Sequence, residues 1–135
     1  MPEESFEAQE PLRGVHVLLV EDDPDSRQLL KTVLEYAGAL VSLAFTARGA
    51  LRALEAMRPD ILLCDLVDAV EADDLITRAR RMPQGADLPF VALSAQRDRE
   101  DRSRALGAGF GEHLAKPVDP WELCRVLATH ARRRP

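Results

Sequence analysis

Short apolar segments and helical stripes alternate along this chain. The apolar segments are too short for helices, and several are rich in β-branched residues, a composition that favours buried strands. We predict five strands, at residues 15–20, 39–45, 61–64, 88–94 and 110–115. The third strand follows Pro59-Asp60 and places Asp65 at its carboxyl end.

After each strand, apolar residues recur at the spacing of one helix face, which predicts five helices. The first helix runs from Pro24 to Gly38, with Asp23 as its N-terminal cap. The second spans Ala47–Arg58, the third is marked by Leu75–Ala79, the fourth lies at residues 96–106, and the last begins at Trp121.

Five strands that alternate with five helices specify a parallel sheet with helices on both faces. The predicted fold class is α/β, a flavodoxin-like (βα)5 doubly wound parallel sheet of five strands with strand order 2-1-3-4-5. In such sheets the ligand crevice lies outside the carboxyl ends of the strands, at the switch point between strands one and three. Because Asp65 ends the third strand, we expect it to be the reactive residue.

Length and composition place this sheet in one domain. A chain of 135 residues buries enough surface for a single core without disulfides. Residues 1–11 carry four glutamates, two prolines and one aromatic residue, too little apolar surface to offset ordering. We therefore expect residues 1–12 to be a flexible N-terminal segment and residues 13–133 to form the domain.

Charge and cysteine content argue against several classes of protein. The formal net charge is −5, with 23 acidic against 18 basic residues, whereas direct nucleic-acid binding needs a concentrated positive field. No apolar run reaches the roughly 18 residues of a membrane span, and the acidic N-terminus is unlike a signal peptide. Cys64 and Cys124 fit core positions in a reducing compartment. We predict a cytoplasmic protein with no membrane or direct nucleic-acid partner.

Acidic residues cluster at the predicted switch point. Glu21 and Asp22 follow the first strand and Asp65 ends the third, so three carboxylates are expected to meet. Their repulsion either raises their pKa values or requires a cation. Magnesium suits carboxylate, water and phosphate oxygens, so a magnesium and phosphoryl site is predicted. Ser94 and Lys116, at the ends of the fourth and fifth strands, supply a hydroxyl and a cation for phosphoryl oxygens.

Four segments resemble the receiver domain of two-component response regulators. They lie in the order and spacing of that family, and the resemblance covers about residues 13–131. It implies that Asp65 accepts a phosphoryl group from a histidine kinase or a histidine phosphotransfer protein. The segments are Leu18-Leu19-Val20-Glu21-Asp22-Asp23-Pro24-Asp25-Ser26-Arg27, Pro59-Asp60-Ile61-Leu62-Leu63-Cys64-Asp65, Ala92-Leu93-Ser94-Ala95 and Lys116-Pro117.

The same resemblance implies a magnesium site around the acceptor. Asp22 would bind Mg²⁺ directly, Glu21 through water, and Asp65 and the backbone carbonyl of Val67 would complete the protein ligands. Lys116 would pair with the phosphoryl group, and its bond to the following proline would be cis, a form that only an X–Pro bond adopts readily.

Two residues would carry the switch of such a domain. Ser94 would swing in to bind the phosphoryl group, and His113, where family members usually carry tyrosine or phenylalanine, would follow into the vacated space. The fourth helix, fifth strand and fifth helix would then form the readout surface for a downstream protein target or a fused kinase. A receiver catalyses only its own phosphorylation and dephosphorylation, so we do not class it as an enzyme.

The loop after Asp65 departs from the family pattern. Leu66–Asp74 lacks the proline and glycine that usually follow the acceptor, so we expect an unusual path. Its additional acids would alter metal affinity or kinase recognition. Val67 and Gln96 occupy positions that often tune phosphoryl loss, and valine cannot orient an attacking water. We therefore predict a phosphoryl lifetime of minutes or longer.

Three functional interpretations stay open. The first is an active receiver, either a single-domain regulator or part of a hybrid histidine kinase, whose receivers have an entry similar to Leu12-Arg13-Gly14. The second is a pseudo-receiver that acts as a phosphorylation-independent scaffold, for which the altered loop argues. The third is a magnesium-dependent phosphatase or other hydrolase, disfavoured because Val67 stands where such enzymes need a proton donor. Whether the domain forms a homodimer through its readout surface is also open.

Overall fold

Five strands and five helices alternate in this computed structural model. It describes residues 10–95 and 99–132, with the side chains of all of these except residues 99–102. No helix in these two ranges is both long and apolar enough to cross a membrane. The elements are β1 (His16–Glu21), α1 (Pro24–Tyr36), β2 (Leu40–Ala44), α2 (Ala47–Ala56), β3 (Ile61–Asp65), α3 (Ala69–Ala79), β4 (Phe90–Ser94), α4 (Arg99–Ala108), β5 (Glu112–Ala115) and α5 (Pro120–His130).

The strands form one parallel sheet in the order β2-β1-β3-β4-β5. This confirms the flavodoxin-like α/β fold and the strand order predicted from the alternation of elements. The order reverses between β1 and β3, whose register sets Glu21 beside Asp65. Two of the acids predicted at the switch point therefore occupy facing positions on neighbouring strands.

The sheet separates two apolar layers. The layer beneath α2, α3 and α4 contains Leu62 and Ile76, and the layer beneath α1 and α5 contains Leu63 and Leu127. Since β3 contributes to both layers, all of its residues are buried. This two-sided burial explains why the strand reads as an unbroken apolar run up to Asp65.

The loop predicted over residues 66–74 is shorter than expected, because helix α3 begins at Ala69. Asp68 caps this helix: its Oδ1 accepts hydrogen bonds from the amides of Val70 at 2.9 Å and Glu71 at 3.3 Å. No non-glycine residue in the described part of the chain has a positive φ. The early helix start thus replaces the left-handed turn for which family members use glycine.

The fold also begins earlier than predicted. Leu12, which the sequence pattern assigns to the N-terminal segment, is fully buried in the layer beneath α1 and α5. Its amide donates a hydrogen bond to the carbonyl of Ala37 at 2.9 Å. Leu12 is therefore part of the core, while residues 1–9 and 133–135 lie outside the described residues.

Two glycines provide a test of the packing between α3 and β4. A Cβ atom at Gly85 would lie 2.1 Å from the carbonyl oxygen of Ala79, whereas a Cβ atom at Gly107 in α4 would meet nothing within 4 Å. We expect Gly85→Ala to lower the free energy of unfolding by about 1–3 kcal/mol, because backbone must move. Gly107→Ala should raise it by up to about 1 kcal/mol, since alanine favours helix. Urea denaturation measures both, and equal effects would contradict the close approach at Gly85.

Candidate functional site

Two carboxylates meet where β1 and β3 end. Glu21 and Asp65 are register partners, and only 2% and 4% of their surfaces are exposed. Their side chains interact, and Glu21 Oε2 accepts a hydrogen bond from the amide of Asp23 at 3.3 Å. Because both strands are apolar up to these acids, the carboxylates are held where little water reaches them.

The environment of Glu21 favours the protonated form of its carboxyl. Burial raises the pKa of Glu21 from its ordinary 4.5 to about 8, and the hydrogen bond to Asp65 and the charge of that residue add to the increase. Lys116 and the amide of Asp23 lower the pKa only in part. The carboxyl of Glu21 therefore holds its proton to a higher pH than an exposed glutamate does.

Lys116 provides the positive charge of the site. It directly follows β5, and its Nζ lies 2.7 Å from Asp65 Oδ1. The amide of Lys116 donates to the carbonyl of Ser94 at 2.8 Å, which joins the ends of β4 and β5. The bond between Lys116 and Pro117 is cis, which confirms that implication of the family resemblance. Three strand ends, those of β3, β4 and β5, are thus connected through one lysine.

Ser94 and His113 border a cavity beside the acceptor. It has a volume of about 260 Å³ and lies between β4, β5, α4 and the connection from β3 to α3. His113 is 6% exposed and is aligned with Ala92 of β4. Arg104 of α4 also lines the cavity, and its Nη1 lies 2.5 Å from Asp73 Oδ2 of α3. The two residues predicted to form the switch therefore border one cavity next to α4.

The side chains of Asp22 and Val67 are exposed at the edge of the site. Asp22 is exposed just beyond β1, and Val67 is 90% exposed. Residues 10–95 and 99–132 contain no group of three or more histidine, cysteine, aspartate or glutamate side chains that could hold a metal ion. The expected meeting of three carboxylates thus reduces to the Glu21–Asp65 pair. A third carboxylate against this buried pair would add repulsion that the single cation of Lys116 does not offset.

The donor set nevertheless suits a hard dication. Glu21, Asp22 and Asp65 offer only oxygen ligands, the type that magnesium prefers. Glu21 Oε1 is buried and has no hydrogen-bond partner among the residues that the structure describes. A buried acceptor in that state is costly, and a cation bound at this oxygen would remove the cost. The chemistry of the residues therefore fits magnesium.

Arg27 is a site residue that the sequence pattern did not single out. Its Nη1 donates to the carbonyl of Glu21 at 3.0 Å, and its guanidinium lies 3.9 Å over the centre of the Phe45 ring. It therefore ties α1 both to the end of β1 and to the connection after β2. The only signal in the sequence is its place one turn into the helix that follows the acidic cluster, where most arginines are solvated.

A family match gives this geometry a context. Residues 17–128 match the model described as the response regulator receiver domain, and the matched segment includes Glu21, Asp65, Ser94, His113 and Lys116. The chain belongs to the response regulator receiver family. Receiver domains are signalling modules.

Relatives and solved structures agree with this assignment. An uncharacterised 14.6 kDa protein of Leptolyngbya boryana is 44% identical over 117 residues, which cover 86% of this chain and 89% of that protein. The KDP operon transcriptional regulatory protein KdpE of Escherichia coli K12 is 34% identical over 118 residues, 87% of this chain. The chain spans only 52% of the length of KdpE.

One similar structure contains a metal ion. The receiver domain of the sensor histidine kinase PA1611 from Pseudomonas aeruginosa PAO1 is 32% identical, with a TM-score of 0.73 and coverage of 86% of this chain and 96% of that chain. It was solved with a magnesium ion coordinated in its active-site cleft. The shared fold extends over nearly the whole of that domain.

The raised pKa of Glu21 predicts a pH-dependent stability. The folded protein binds this proton more tightly than the unfolded chain, so the resulting stability is fully present below pH 4.5 and is lost as the pH rises through about 8. In buffer containing EDTA, we expect the free energy of unfolding of the wild type to fall between these pH values relative to Glu21→Gln. Denaturant titrations along a pH series measure this difference. Glu122→Gln, an exposed change on α5, should retain the wild-type slope.

Proposed function

We propose that the protein is a phosphoacceptor receiver in which Asp65 takes a phosphoryl group from a histidine kinase or a histidine phosphotransfer protein. The observation that carries this proposal is the 2.7 Å contact of Lys116 Nζ with Asp65 Oδ1, beside the buried carboxyl of Glu21. A purely structural ion pair has no need of a second buried acid. Phosphoryl transfer needs a nucleophilic carboxylate, a cation and metal-ligating acids in one place.

The transfer step follows from the position of the acceptor. An Asp65 oxygen forms a bond to phosphorus as the phosphorus–nitrogen bond of phosphohistidine breaks, and the imidazole nitrogen keeps the electron pair. Lys116, already in contact with Asp65, offsets the negative charge on the transferring oxygens. A groove of about 550 Å³ opens beside both residues and gives the donor an approach.

Magnesium is the cofactor that these residues would hold. We assign its ligands to Glu21, Asp22, Asp65 and the backbone carbonyl of Val67, and the magnesium ion of the PA1611 receiver supports the choice of metal. When bound, the ion neutralises charge on the phosphoryl oxygens. Asp22, which is exposed, would turn toward Glu21 and Asp65 to complete the set.

The switch would use the cavity beside the acceptor. The Ser94 hydroxyl would donate to a phosphoryl oxygen, and His113 would shift within the 260 Å³ space that both residues line. This movement would change the surface of α4, β5 and α5, which we assign to contact with a downstream protein, a fused kinase or a second copy. We place the exchange in the cytoplasm and assign it to the predicted domain of residues 13–133, extended at its start by the core residue Leu12.

Two other interpretations lack support from the site. A pseudo-receiver would be expected to lose the acceptor or its cation, yet Asp65 and Lys116 are in contact. A hydrolase would need a proton donor after the nucleophile, and Val67 offers no polar side-chain atom there. The short connection from β3 to α3 lines one side of the site, whereas the contact between Asp65 and Lys116 is still present.

Phosphorylation of Asp65 is tested with acetyl phosphate and with beryllofluoride, which imitates a phosphoryl group on a carboxylate. With magnesium we expect the intact mass to increase by one phosphoryl group, and we expect no increase in EDTA or in Asp65→Asn. Lys116→Met should lower the rate by about 10²-fold, because transition-state charge loses its partner. Asp25→Asn, an exposed acid in the first turn of α1, is the matched control and should react normally. An unmodified wild type with a normal circular dichroism spectrum would contradict the proposal.

The lifetime of the phosphorylated protein is a separate expectation. We expect a half-life of minutes or longer, because Val67 presents no group that orients water toward the phosphoryl group. Val67→Asn should shorten it several-fold by supplying such a group, whereas Val70→Asn, at a position that is also exposed, should not. The half-life of the phosphorylated wild type and of both variants is measured from the release of inorganic phosphate after the phosphodonor has been removed. Loss within seconds from the wild type would refute the expectation. The second tuning residue, Gln96, lies outside the described residues.

A further inference from the structure

An arginine-lined groove lies between α2 and α3, on the face of the sheet opposite α1 and α5. Its volume is about 400 Å³. Four arginines form its rim, and Leu51 and Met82 form its floor, where both are partly buried against the core layer beneath α2 and α3. The rim residues are Arg48, Arg52, Arg78 and Arg81.

Helical spacing produces this arrangement. On α2, Arg48, Leu51 and Arg52 follow the i, i+3, i+4 pattern that places residues on one face. Arg78, Arg81 and Met82 repeat the same spacing at the end of α3, where the turn continues through a hydrogen bond from the amide of Arg81 to the carbonyl of Arg78 at 3.1 Å. Two stripes, each of two arginines and one apolar residue, therefore line the groove.

Most of the positive charge in this groove is not neutralised within the described residues. Arg48, Arg52 and Arg81 are exposed, and the described part of the chain gives their side chains no ion pair or hydrogen bond. Arg78 pairs with Asp74 at 2.8 Å, but both side chains are more than half exposed, so the pair is weak. A cluster of like charges is repulsive in itself and becomes favourable when an anion binds.

We propose that this groove docks an acidic segment of a partner protein. Carboxylates of the segment would accept bidentate hydrogen bonds from the planar guanidinium groups of the rim arginines, and an apolar side chain between them would cover Leu51 and Met82. Charge complementarity and the apolar floor identify the occupant. The groove lies on a different face from the Asp65 crevice, so this contact does not depend on phosphorylation.

Other polyanions fit the groove less well. A nucleic-acid backbone has no apolar side chain for the floor, and its length would bring it against the rest of a chain with a net charge of −5. Glu55 also lines the groove, and evenly spaced phosphates would meet this carboxylate. An acidic peptide can place an uncharged residue at that point.

The probe for the test is the capped octapeptide EELEELEE, with QQLQQLQQ as its uncharged counterpart. Titration of the full chain, followed by ¹H–¹⁵N spectra, should shift amides of α2 and the end of α3 with the acidic peptide only. Binding should weaken at least about fivefold between about 0.05 M and 0.5 M salt, since exposed charges are screened. Equal binding of the two peptides, or shifts scattered over the whole surface, would overturn the proposal.

Matched charge reversals locate the contact. Arg52→Glu should weaken binding by about tenfold or more, equivalent to about 1.4 kcal/mol, whereas Arg125→Glu, the same change on exposed α5, should have less than about a twofold effect. Circular dichroism establishes that both variants are folded. Equal loss in the two variants would refute the assignment. Tighter binding of duplex DNA or of anionic phospholipid vesicles than of the peptide at the same salt, lost in Arg52→Glu, would also overturn it, since the occupant would be another class of molecule.

Discussion

Two buried carboxylates share the end of a parallel sheet only when a proton or a cation lies between them. The register of β1 on β3 places Glu21 and Asp65 in that situation. The raised pKa of Glu21 and the 2.7 Å contact of Lys116 with Asp65 both reduce the repulsion within the pair. A slip of β3 by one residue would turn Asp65 to the other face of the sheet and exchange the strand's side chains between the two apolar layers. The burial of β3 on both faces therefore fixes the chemistry at its end.

The rest of the site is built by joining strand ends rather than by a loop that folds over them. The bond from the Lys116 amide to the Ser94 carbonyl fixes β5 against β4, and Lys116 then reaches across to Asp65 on β3. Arg27 holds the last carbonyl of β1 from the side of α1. Each group is thus positioned by backbone pairing, which is rigid, while the exposed Asp22 and Val67 keep freedom to respond to a ligand.

The sequence predicts those features that depend on periodicity and strand ends. The strand order, Asp65 at the end of β3 and Lys116 before a cis proline are all visible in it, because alternation and family motifs determine them. The exposure of the Asp22 side chain cannot be predicted from the sequence, since it depends on repulsion from the neighbouring carboxylates and on hydration in the folded protein. The start of α3 at Ala69 was also missed: the cap supplied by Asp68 competes with the expected loop, and spacing alone does not rank the two.

Net charge describes this surface poorly. A net charge of −5 argues against binding of long polyanions, because these contact much of the protein surface. At physiological salt, however, charges are screened over about 8 Å, so separate regions of the surface can bind ligands of opposite charge. The acidic crevice lies at the carboxyl ends of the strands, while arginines gather between α2 and α3. The two charge clusters therefore occupy separate regions of the surface, one at the carboxyl ends of the strands and one over a face of the sheet. A partner drawn to the arginines would therefore leave Asp65 open to its phosphodonor.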